Sequence, residues 1–308
     1  MKYKEFLNKK MSVLGFGGWT LGNQSNGKTM GEEEGINLVK QAYEAGITFF
    51  DTAPNYSLGK SETIIGIALE NVRDKIIINS KFGHHANGKI DFSENKIEES
   101  IKSSLKRLKT DYLDSVILHN PHMSILKGET DHFKILESLK KKGLIRGYGV
   151  SIDTYEELKT VLKNQKVDVI ELLYNIFFQS TRELLKEVKA KDIGLVIKVP
   201  LDSGWLTGKY DVDSEFTDIR SRWTREDKER RHFLVNEIKN FVGEEDIVKY
   251  AMNFLWSNDA ISTLIPGIRT ENQLKSHLQA LNFDYDQSLN KNFEKLYDQH
   301  IADKPLNW

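Results

Sequence analysis

Four residues of the chain have side chains that together could carry out acid–base chemistry: a carboxylate, a phenol, an ammonium and an imidazole. Asp51 and Tyr56 lie in FFDTAPNY, Lys81 lies in INSKFG, and His119 lies in VILHNP. A phenol, whose ordinary pKa is about 10, donates a proton near neutral pH more readily when a nearby cation stabilises its phenolate. Lys81 could supply that cation, Asp51 could balance the buried ammonium, and His119 could orient a carbonyl oxygen.

Each of these residues ends or follows a short apolar run. Taken singly, an aspartate after a strand is usually a cap, a tyrosine usually packs, and a lysine is usually exposed. Together they are harder to explain that way, because a charge at the end of a buried strand is costly without a partner. We therefore predict that Asp51, Tyr56, Lys81 and His119 meet at one mouth.

The apolar runs alternate with amphipathic stretches, which is the pattern of strands followed by helices. The predicted strands are residues 13–17, 48–52, 76–81, 115–119, 147–151, 169–173, 195–199 and 262–266. Strand–helix alternation requires a parallel sheet, and eight such units favour an α/β fold of the closed (β/α)8 or TIM barrel type over an open doubly wound sheet. Barrels of this type place their chemistry at the carboxyl ends of the strands, where the polar residues lie.

Two further segments complete the predicted architecture. Residues 3–11 should form an N-terminal β-hairpin that closes the bottom of the barrel. Residues 202–243 form a long loop after strand 7, far beyond the usual connection of roughly two to six residues. The charge-dense middle of this loop, SRWTREDKERRHF, is either a solvated surface helix or a flap over a ligand, and the next predicted helix begins at EEDIVKYAMNFLWS. No linker divides the chain, so we expect residues 1–308 to form a single domain.

The composition is that of a soluble globular protein, with 39% hydrophobic and 29% charged residues. The 44 basic and 45 acidic residues nearly cancel, which argues against nucleic acid and an anionic membrane as partners. The absence of cysteine excludes disulfides, thiolate nucleophiles and cysteine zinc sites. The histidines lack a convincing metal-ligand spacing, so we expect no metal site. The chain shows neither an apolar leader nor a run of about 18 apolar residues, so we expect a cytoplasmic protein, of undetermined oligomeric state.

The motifs together resemble the aldo-keto reductase superfamily over essentially the whole chain. GFGGW, DTAPNYSLGKSE, SKFG, LHNP, GVS, YN, VPLDSGWLTGKY and IPGIRTENQ occur in that family's order and with similar spacing. The resemblance implies an oxidoreductase that uses NADPH/NADP+, with Asp51, Tyr56, Lys81 and His119 as its catalytic tetrad. It also implies an extended cofactor held without a Rossmann fold, and no G-x-G-x-x-G motif follows a predicted strand in this sequence.

The resemblance also assigns residues to the cofactor. PLDSGWLTGKY looks like the family's pyrophosphate-binding loop, in which glycines let backbone N–H groups approach the phosphates. IPGIRTENQ resembles the segment that holds the adenosine end, where Arg269 would meet a ribose 2′-phosphate and Gln273 the adenine. The residues implied to bind the cofactor are Trp19, Ser151, Glu171, Lys198, Pro200, Leu201, Ser203, Gly204, Leu206, Gly208, Lys209, Gly267, Arg269 and Gln273.

Several positions depart from the family's pattern. Glu171 replaces a glutamine that, together with Ser151, touches the carboxamide of nicotinamide, and Ile152 replaces an asparagine. Lys198 replaces a residue that often stacks on nicotinamide as an aromatic ring, and His277 replaces an asparagine near the adenine. Because Glu171 and Lys198 lie at neighbouring strand ends, we predict that they form an ion pair beneath the nicotinamide.

The leading functional prediction is the reduction of a small-molecule aldehyde or ketone by NADPH, with Tyr56 as the proton donor. Two alternatives stay open: an NADP(H)-binding regulatory or sensor barrel, and a cofactor-assisted lyase or isomerase acting on a sugar-like substrate. The candidates for lining the mouth mix polar and aromatic side chains, which favours a hydroxylated carbonyl compound as substrate. They are Trp19, Asn55, His84, His85, Pro121, His122 and Trp223.

Overall fold

The computed structural model describes residues 1–25, 28–243 and 246–308, and its central feature is a sheet of eight parallel strands. The strands of the described residues are β1 Tyr3–Phe6, β2 Lys9–Ser12, β3 Phe16–Gly17, β4 Gln24–Ser25, β5 Lys28–Thr29, β6 Phe49–Asp51, β7 Ile77–Phe82, β8 Leu113–His119, β9 Ile145–Ile152, β10 Val169–Leu173, β11 Gly194–Lys198 and β12 Thr263–Ile265. Strands β3 and β6 to β12 form the large sheet in chain order, whereas β1–β2 and β4–β5 are antiparallel hairpins.

Helices follow the strands of the large sheet and surround it. Those of the described residues are α1 Glu32–Glu44, α2 Lys60–Leu69, α3 Ile97–Arg107, α4 Met123–Leu126, α5 His132–Lys141, α6 Tyr155–Asn164, α7 Leu185–Ala190, α8 Arg225–Val242, α9 Ile247–Trp256, α10 Glu271–Ala280 and α11 Asn290–His300. Helices α6, α8 and α10 begin after Thr154, Thr224 and Thr270, whose hydroxyls accept hydrogen bonds from first-turn N–H groups. The first two residues of the predicted EEDIVKYAMNFLWS helix lie outside the described residues, and α9 begins after Asp246.

The two ends of the sheet meet and close it. The backbone N–H of Gly15 donates to Leu264 O at 2.8 Å, that of Leu264 donates to Val13 O at 3.1 Å, and that of Gly17 donates to Pro266 O at 3.2 Å. The predicted (β/α)8 barrel is thereby confirmed, although only the end of the predicted first strand pairs as a regular strand. Among the described residues, no helix is both long and apolar enough to cross a bilayer.

The N-terminal hairpin fills the bottom of the barrel, as predicted. Phe6 and Met11 of β1 and β2 pack against inward-facing apolar side chains of the barrel strands: Phe49, Ile77, Ile117, Val169, Val196 and Ile265. Burying each such side chain stabilises the fold by roughly 1.5 to 3 kcal/mol. The hairpin therefore covers this apolar layer at the end of the barrel opposite the polar residues.

The period of two along a strand explains how the polar residues come to face the barrel interior. Asp51, His119, Glu171 and Lys198 each lie two residues beyond an inward-facing apolar residue on the same strand, and Lys81 lies four residues beyond Ile77. The register pairs His119 and Glu171 with the same residue, Ser151. One alternating pattern thus makes the interior of the barrel apolar at the bottom and polar at the top.

The long loop after β11 contains short 3-10 helices, Asp202–Thr207 and Ile219–Arg222, before helix α8. The charge-dense segment forms the first half of α8, a surface helix with an exposed outer face and a buried inner face. Arg231, Leu234 and Ile238 recur at helical spacing and are at most 1% exposed. The fully buried Arg231 places its Nε 2.9 Å from Oδ2 of Asp202, so this face ties α8 to the beginning of the loop.

Candidate active site

The centre of the site is a buried ion pair between Lys81 on β7 and Asp51 on β6. The Nζ atom of Lys81 lies 2.5 and 2.6 Å from the two carboxylate oxygens of Asp51, and it also donates to Thr52 O at 3.1 Å. The Nδ2 group of Asn79 donates to Asp51 at 2.8 Å, and the hydroxyl of Ser115 donates to Asn79 at 2.6 Å. A charge so deeply buried requires these partners, and they fix the ammonium in one position.

Tyr56 lies in the 3-10 turn Tyr56–Gly59 that follows β6, directly beside this ion pair. Lys81 Nζ is 5.1 Å from the centroid of the Tyr56 ring, and the ring of His119 meets Tyr56 edge-on at 6.0 Å. Ser57 and Leu58 have positive φ angles, so the chain turns sharply after Tyr56. The hydroxyl of Ser57 donates to Gly22 O at 2.7 Å and holds this turn. The structure therefore brings the predicted tetrad to one place.

Burial and the neighbouring charges shift the pKa values of Tyr56, Lys81 and His119. It raises the pKa of Tyr56, and although Lys81 opposes this, the carboxylates of Asp51 and Glu171 reinforce it. Burial alone would lower the pKa of Lys81, but the two carboxylates outweigh it and raise that pKa. Burial, together with Lys81 and other cationic neighbours, lowers the pKa of His119 well below its usual range. At neutral pH the phenol is therefore protonated, the lysine is charged and the imidazole is neutral.

Glu171 on β10 also binds Lys81, and the predicted ion pair between Glu171 and Lys198 is wrong. Glu171 Oε2 lies 3.1 Å from Lys81 Nζ, and its Oε1 accepts from the hydroxyl of Ser151 at 3.1 Å. Lys198 Nζ instead lies 2.8 Å from Asp153 Oδ1 and donates to Ser151 Oγ at 2.8 Å and to Asn120 Oδ1 at 3.1 Å. The register of β10 and β11 explains why Lys198 does not pair with Glu171.

Lys198 aligns with Leu173 on the neighbouring strand, two residues beyond Glu171. The two side chains consequently occupy different layers of the barrel, and Ser151 bridges them by hydrogen bonds. Asn79, Asn120 and Asp153 were missed by the sequence reasoning. Asn79 lies two residues before Lys81, and Asp153 lies two residues after Ser151. The period of two along a strand, applied to Lys81 and Ser151, could therefore have identified both residues.

The segment predicted to hold the pyrophosphate is a tightly turned loop. Val199, Asp202, Ser203, Gly204 and Gly208 all have positive φ angles, and the N–H groups of Asp202, Gly204 and Gly208 donate to carbonyls of the same loop. A Cβ at Gly204 would lie 2.9 Å from the ring of Tyr210, so glycine is required there. The other residues assigned to this loop are Pro200 and the buried Leu201 and Leu206, with Lys209 exposed at its end.

The segment predicted to hold the adenosine end lies between β12 and α10. Gly267 pairs with Gly17 across the closure of the barrel, and the guanidinium of Arg269 donates to Asn23 O at 2.8 Å. Gln273 Oε1 accepts from the N–H groups of Arg269 at 2.8 Å and of Thr270 at 3.2 Å, so its carbonyl caps helix α10. Burial lowers the pKa of His277, one turn further along, to about 4.

The residues predicted to line the mouth divide into two groups. Trp19 is 39% exposed, and His84 stacks on His119 with ring centroids 4.3 Å apart. His85 is bound to Asp91 O at 2.8 Å, and His122 packs edge-on against Phe92. Asn55 and Pro121 adjoin Tyr56 and Asn120 in the chain.

Trp223, by contrast, is wrongly assigned to the mouth. It is buried at 6% exposure, where it packs against the rings of Trp205 and Phe216 and under the guanidinium of Arg231. This tryptophan belongs to the packing between the long loop and α8.

The chain is similar to known proteins over most of its length. Residues 13–298 match the model of the Aldo/keto reductase family. Aldo-keto reductase YhdN of Bacillus subtilis (strain 168) is 27% identical, with 95% of this chain and 92% of YhdN covered. An NADH-specific methylglyoxal reductase of Escherichia coli (strain K12) is 29% identical over 66% of this chain and 68% of its own length. The holo form of aldo-keto reductase AKR11C1 from Bacillus halodurans superposes with a TM-score of 0.81 at 26% identity, with 97% of this chain and 99% of that chain covered.

Proposed function

The chain belongs to the aldo/keto reductase family, and from that premise we propose that it reduces an aldehyde or ketone to an alcohol with NADPH, with Tyr56 as the proton donor. The observation that carries this proposal is the position of Tyr56, whose ring lies 5.1 Å from the ammonium of Lys81 and edge-on to His119. These are the groups needed to deliver a proton to a carbonyl oxygen and to bind that oxygen while negative charge develops on it.

The side chains divide the work. The nicotinamide cofactor, when bound, supplies the hydride. Tyr56 keeps its proton at neutral pH, because burial raises the pKa of the phenol, and releases it only to an oxygen that has become strongly basic. His119 is neutral, so one ring nitrogen can donate to the same oxygen while the other carries no proton. Asp51 keeps Lys81 charged and in place.

The residues around the tetrad fit a nicotinamide dinucleotide. The hydroxyl oxygen of Ser151 can still accept a hydrogen bond from the carboxamide, and the tight turn with positive φ angles at Ser203 and Gly204 lets phosphate approach the backbone closely. Arg269 offers a guanidinium suited to a ribose 2′-phosphate. The name of the Escherichia coli relative specifies NADH, so the preference for NADPH in this chain rests on Arg269.

The test is to measure the loss of NADPH absorbance with a panel of aldehydes, ketoses and ketosteroids, and to quantify the alcohol formed. We expect equal amounts of NADPH consumed and alcohol produced for at least one hydroxylated carbonyl compound. NADPH binding without turnover of any compound would favour a regulatory or sensing barrel. Conversion of a substrate without loss of NADPH would favour a lyase or isomerase.

A further inference from the structure

Lys81 has two buried carboxylate partners. Its Nζ lies 2.5 Å from Asp51 and 3.1 Å from Glu171, and all three side chains are at most 2% exposed. One ammonium balances only one negative charge. A second ionised carboxylate at this depth is therefore uncompensated, and like charges so close together resist ionising at the same time.

The carboxyl pair consequently retains a proton to unusually high pH. Burial and the charge of Glu171 raise the pKa of Asp51 to about 8, although Lys81 and Asn79 act in the opposite direction. Because the two carboxyl groups share the same lysine, this step belongs to the pair and not to Asp51 alone. Below about pH 8 the pair of carboxyl groups carries one negative charge, and above that pH it carries two.

We propose that Glu171 is a positioning residue that acts on Tyr56 through Lys81: in alkaline solution, where Glu171 and Asp51 are both ionised, the second negative charge cancels part of the lysine's attraction for a phenolate and so keeps the proton on Tyr56. This inference rests on the proposed function, because it assigns a role in the same proton transfer. It also explains why this chain has a carboxylate at position 171, where the family usually has a glutamine. Glu171 extends the pH range in which the phenol can act as an acid.

The other titratable groups around the carboxyl pair do not change their charge near pH 8. Burial lowers the pKa of His84 and that of His119, so both rings are already neutral. Lys198, at the end of β11, is paired with Asp153 at 2.8 Å. The pKa values of Lys81 and Tyr56 are both raised, so neither group loses its proton near pH 8. The carboxyl pair is the group whose charge changes.

The substitution Glu171→Gln isolates the effect, because glutamine keeps the shape and can still accept from Ser151. In this variant one carboxylate faces Lys81 both below and above pH 8. Wild type and variant therefore carry the same net charge around Lys81 in neutral solution and differ only in alkaline solution, where the wild type has one more negative charge. Without that charge, Lys81 attracts the phenolate more strongly, and Tyr56 loses its proton at lower pH.

The first experiment measures kcat/KM for carbonyl reduction against pH. We expect the profiles of wild type and Glu171→Gln to have the same shape in neutral solution, whatever their absolute rates, and the alkaline decline to begin about one pH unit lower in the variant. Glu62→Gln is the matched control, because Glu62 is equally buried but pairs with Arg107 at 2.6 Å. An alkaline decline of Glu171→Gln that coincides with that of the wild type, or an equal shift in Glu62→Gln, would overturn the inference.

The second experiment needs no catalysis. Carbon-13 NMR of labelled aspartate and glutamate carboxyl groups should show a step near pH 8 in the wild type that is absent from both Glu171→Gln and Asp51→Asn. Persistence of that step in Glu171→Gln refutes the inference, whatever the activity. Loss of the step in a chain that consumes no NADPH refutes the proposed function and leaves the pairing on Lys81 standing.

Discussion

His84 stacks on His119, with the ring centroids 4.3 Å apart and the ring planes 25° apart. The rings of His119 and Tyr56 form a T-shaped pair, with their centroids 6.0 Å apart. His119 therefore contacts both rings. We expect these contacts to orient it toward a carbonyl oxygen, with His84 acting on the reaction through His119 as a positioning residue.

We expect His84→Ala to lower kcat/KM for reduction by roughly 2- to 10-fold, the equivalent of an aromatic pair worth about 0.5 to 1.5 kcal/mol. His84→Phe should retain most of the activity, because its ring restores the stack. Steady-state kinetics of both variants, with cofactor affinity measured in parallel, decide the matter. Equal activity of His84→Ala and wild type would show that the stack has no part in orienting His119.

Arg269 is predicted to discriminate between the two nicotinamide cofactors. Arg269→Ala should weaken NADPH binding by about 1.5 to 3 kcal/mol, the range for a charged hydrogen-bonded contact, and should leave NADH binding little changed. Fluorescence titration with each cofactor measures both affinities. Because Arg269 also donates to Asn23 O, thermal unfolding of the variant must be compared with the wild type. Equal losses for the two cofactors would place Arg269 away from the 2′-phosphate.

His277 is predicted to make the fold sensitive to acid. Burial lowers its pKa from 6.5 to about 4 in the folded protein, whereas the unfolded chain retains the ordinary value. As the pH falls from 6.5 to 4, the unfolded chain binds a proton that the folded protein does not, so the free energy of unfolding decreases by up to about 3 kcal/mol. Denaturant unfolding of wild type and His277→Leu at both ends of this range measures the difference.

We expect the free energy of unfolding of His277→Leu to depend less on pH over that range than the wild-type value. His300→Leu, at the exposed end of α11, is the matched control and should behave as the wild type. An unchanged pH dependence in His277→Leu would mean that His277 takes up its proton without cost in the folded protein.

Much of the barrel could be predicted because its strands are buried on both faces. A parallel strand covered by helices is a continuous apolar run, and such runs locate β7 to β12 to within two residues at each end. The hairpin β4–β5 was missed, since GNQSNGKTM has no apolar alternation to reveal it. Asp51, Lys81 and His119 end buried apolar runs and Tyr56 follows one, which is why the sequence predicts that the tetrad meets at the carboxyl ends of the strands.

The contacts that could not be predicted depend on how the strands and the long loop are placed relative to one another. The sequence shows that Glu171 and Lys198 end neighbouring strands, but not that the strands are staggered so that Lys198 aligns with Leu173. Trp223 lies in a charge-dense segment, and the sequence does not reveal that Arg231 is buried against it and paired with Asp202. Buried charge is recognisable only once its partner is known.

Tyr56 is the proposed proton donor, and Tyr56→Phe removes its hydroxyl while keeping its ring. The most direct test is the rate of NADPH oxidation with a carbonyl substrate by Tyr56→Phe and wild type, with the affinity for NADPH determined for each. We predict that turnover falls by at least ~100-fold, the low end of acid–base catalysis, while the affinity for NADPH stays nearly the same. Reduction at a rate close to that of the wild type would contradict the assignment of Tyr56 as the proton donor.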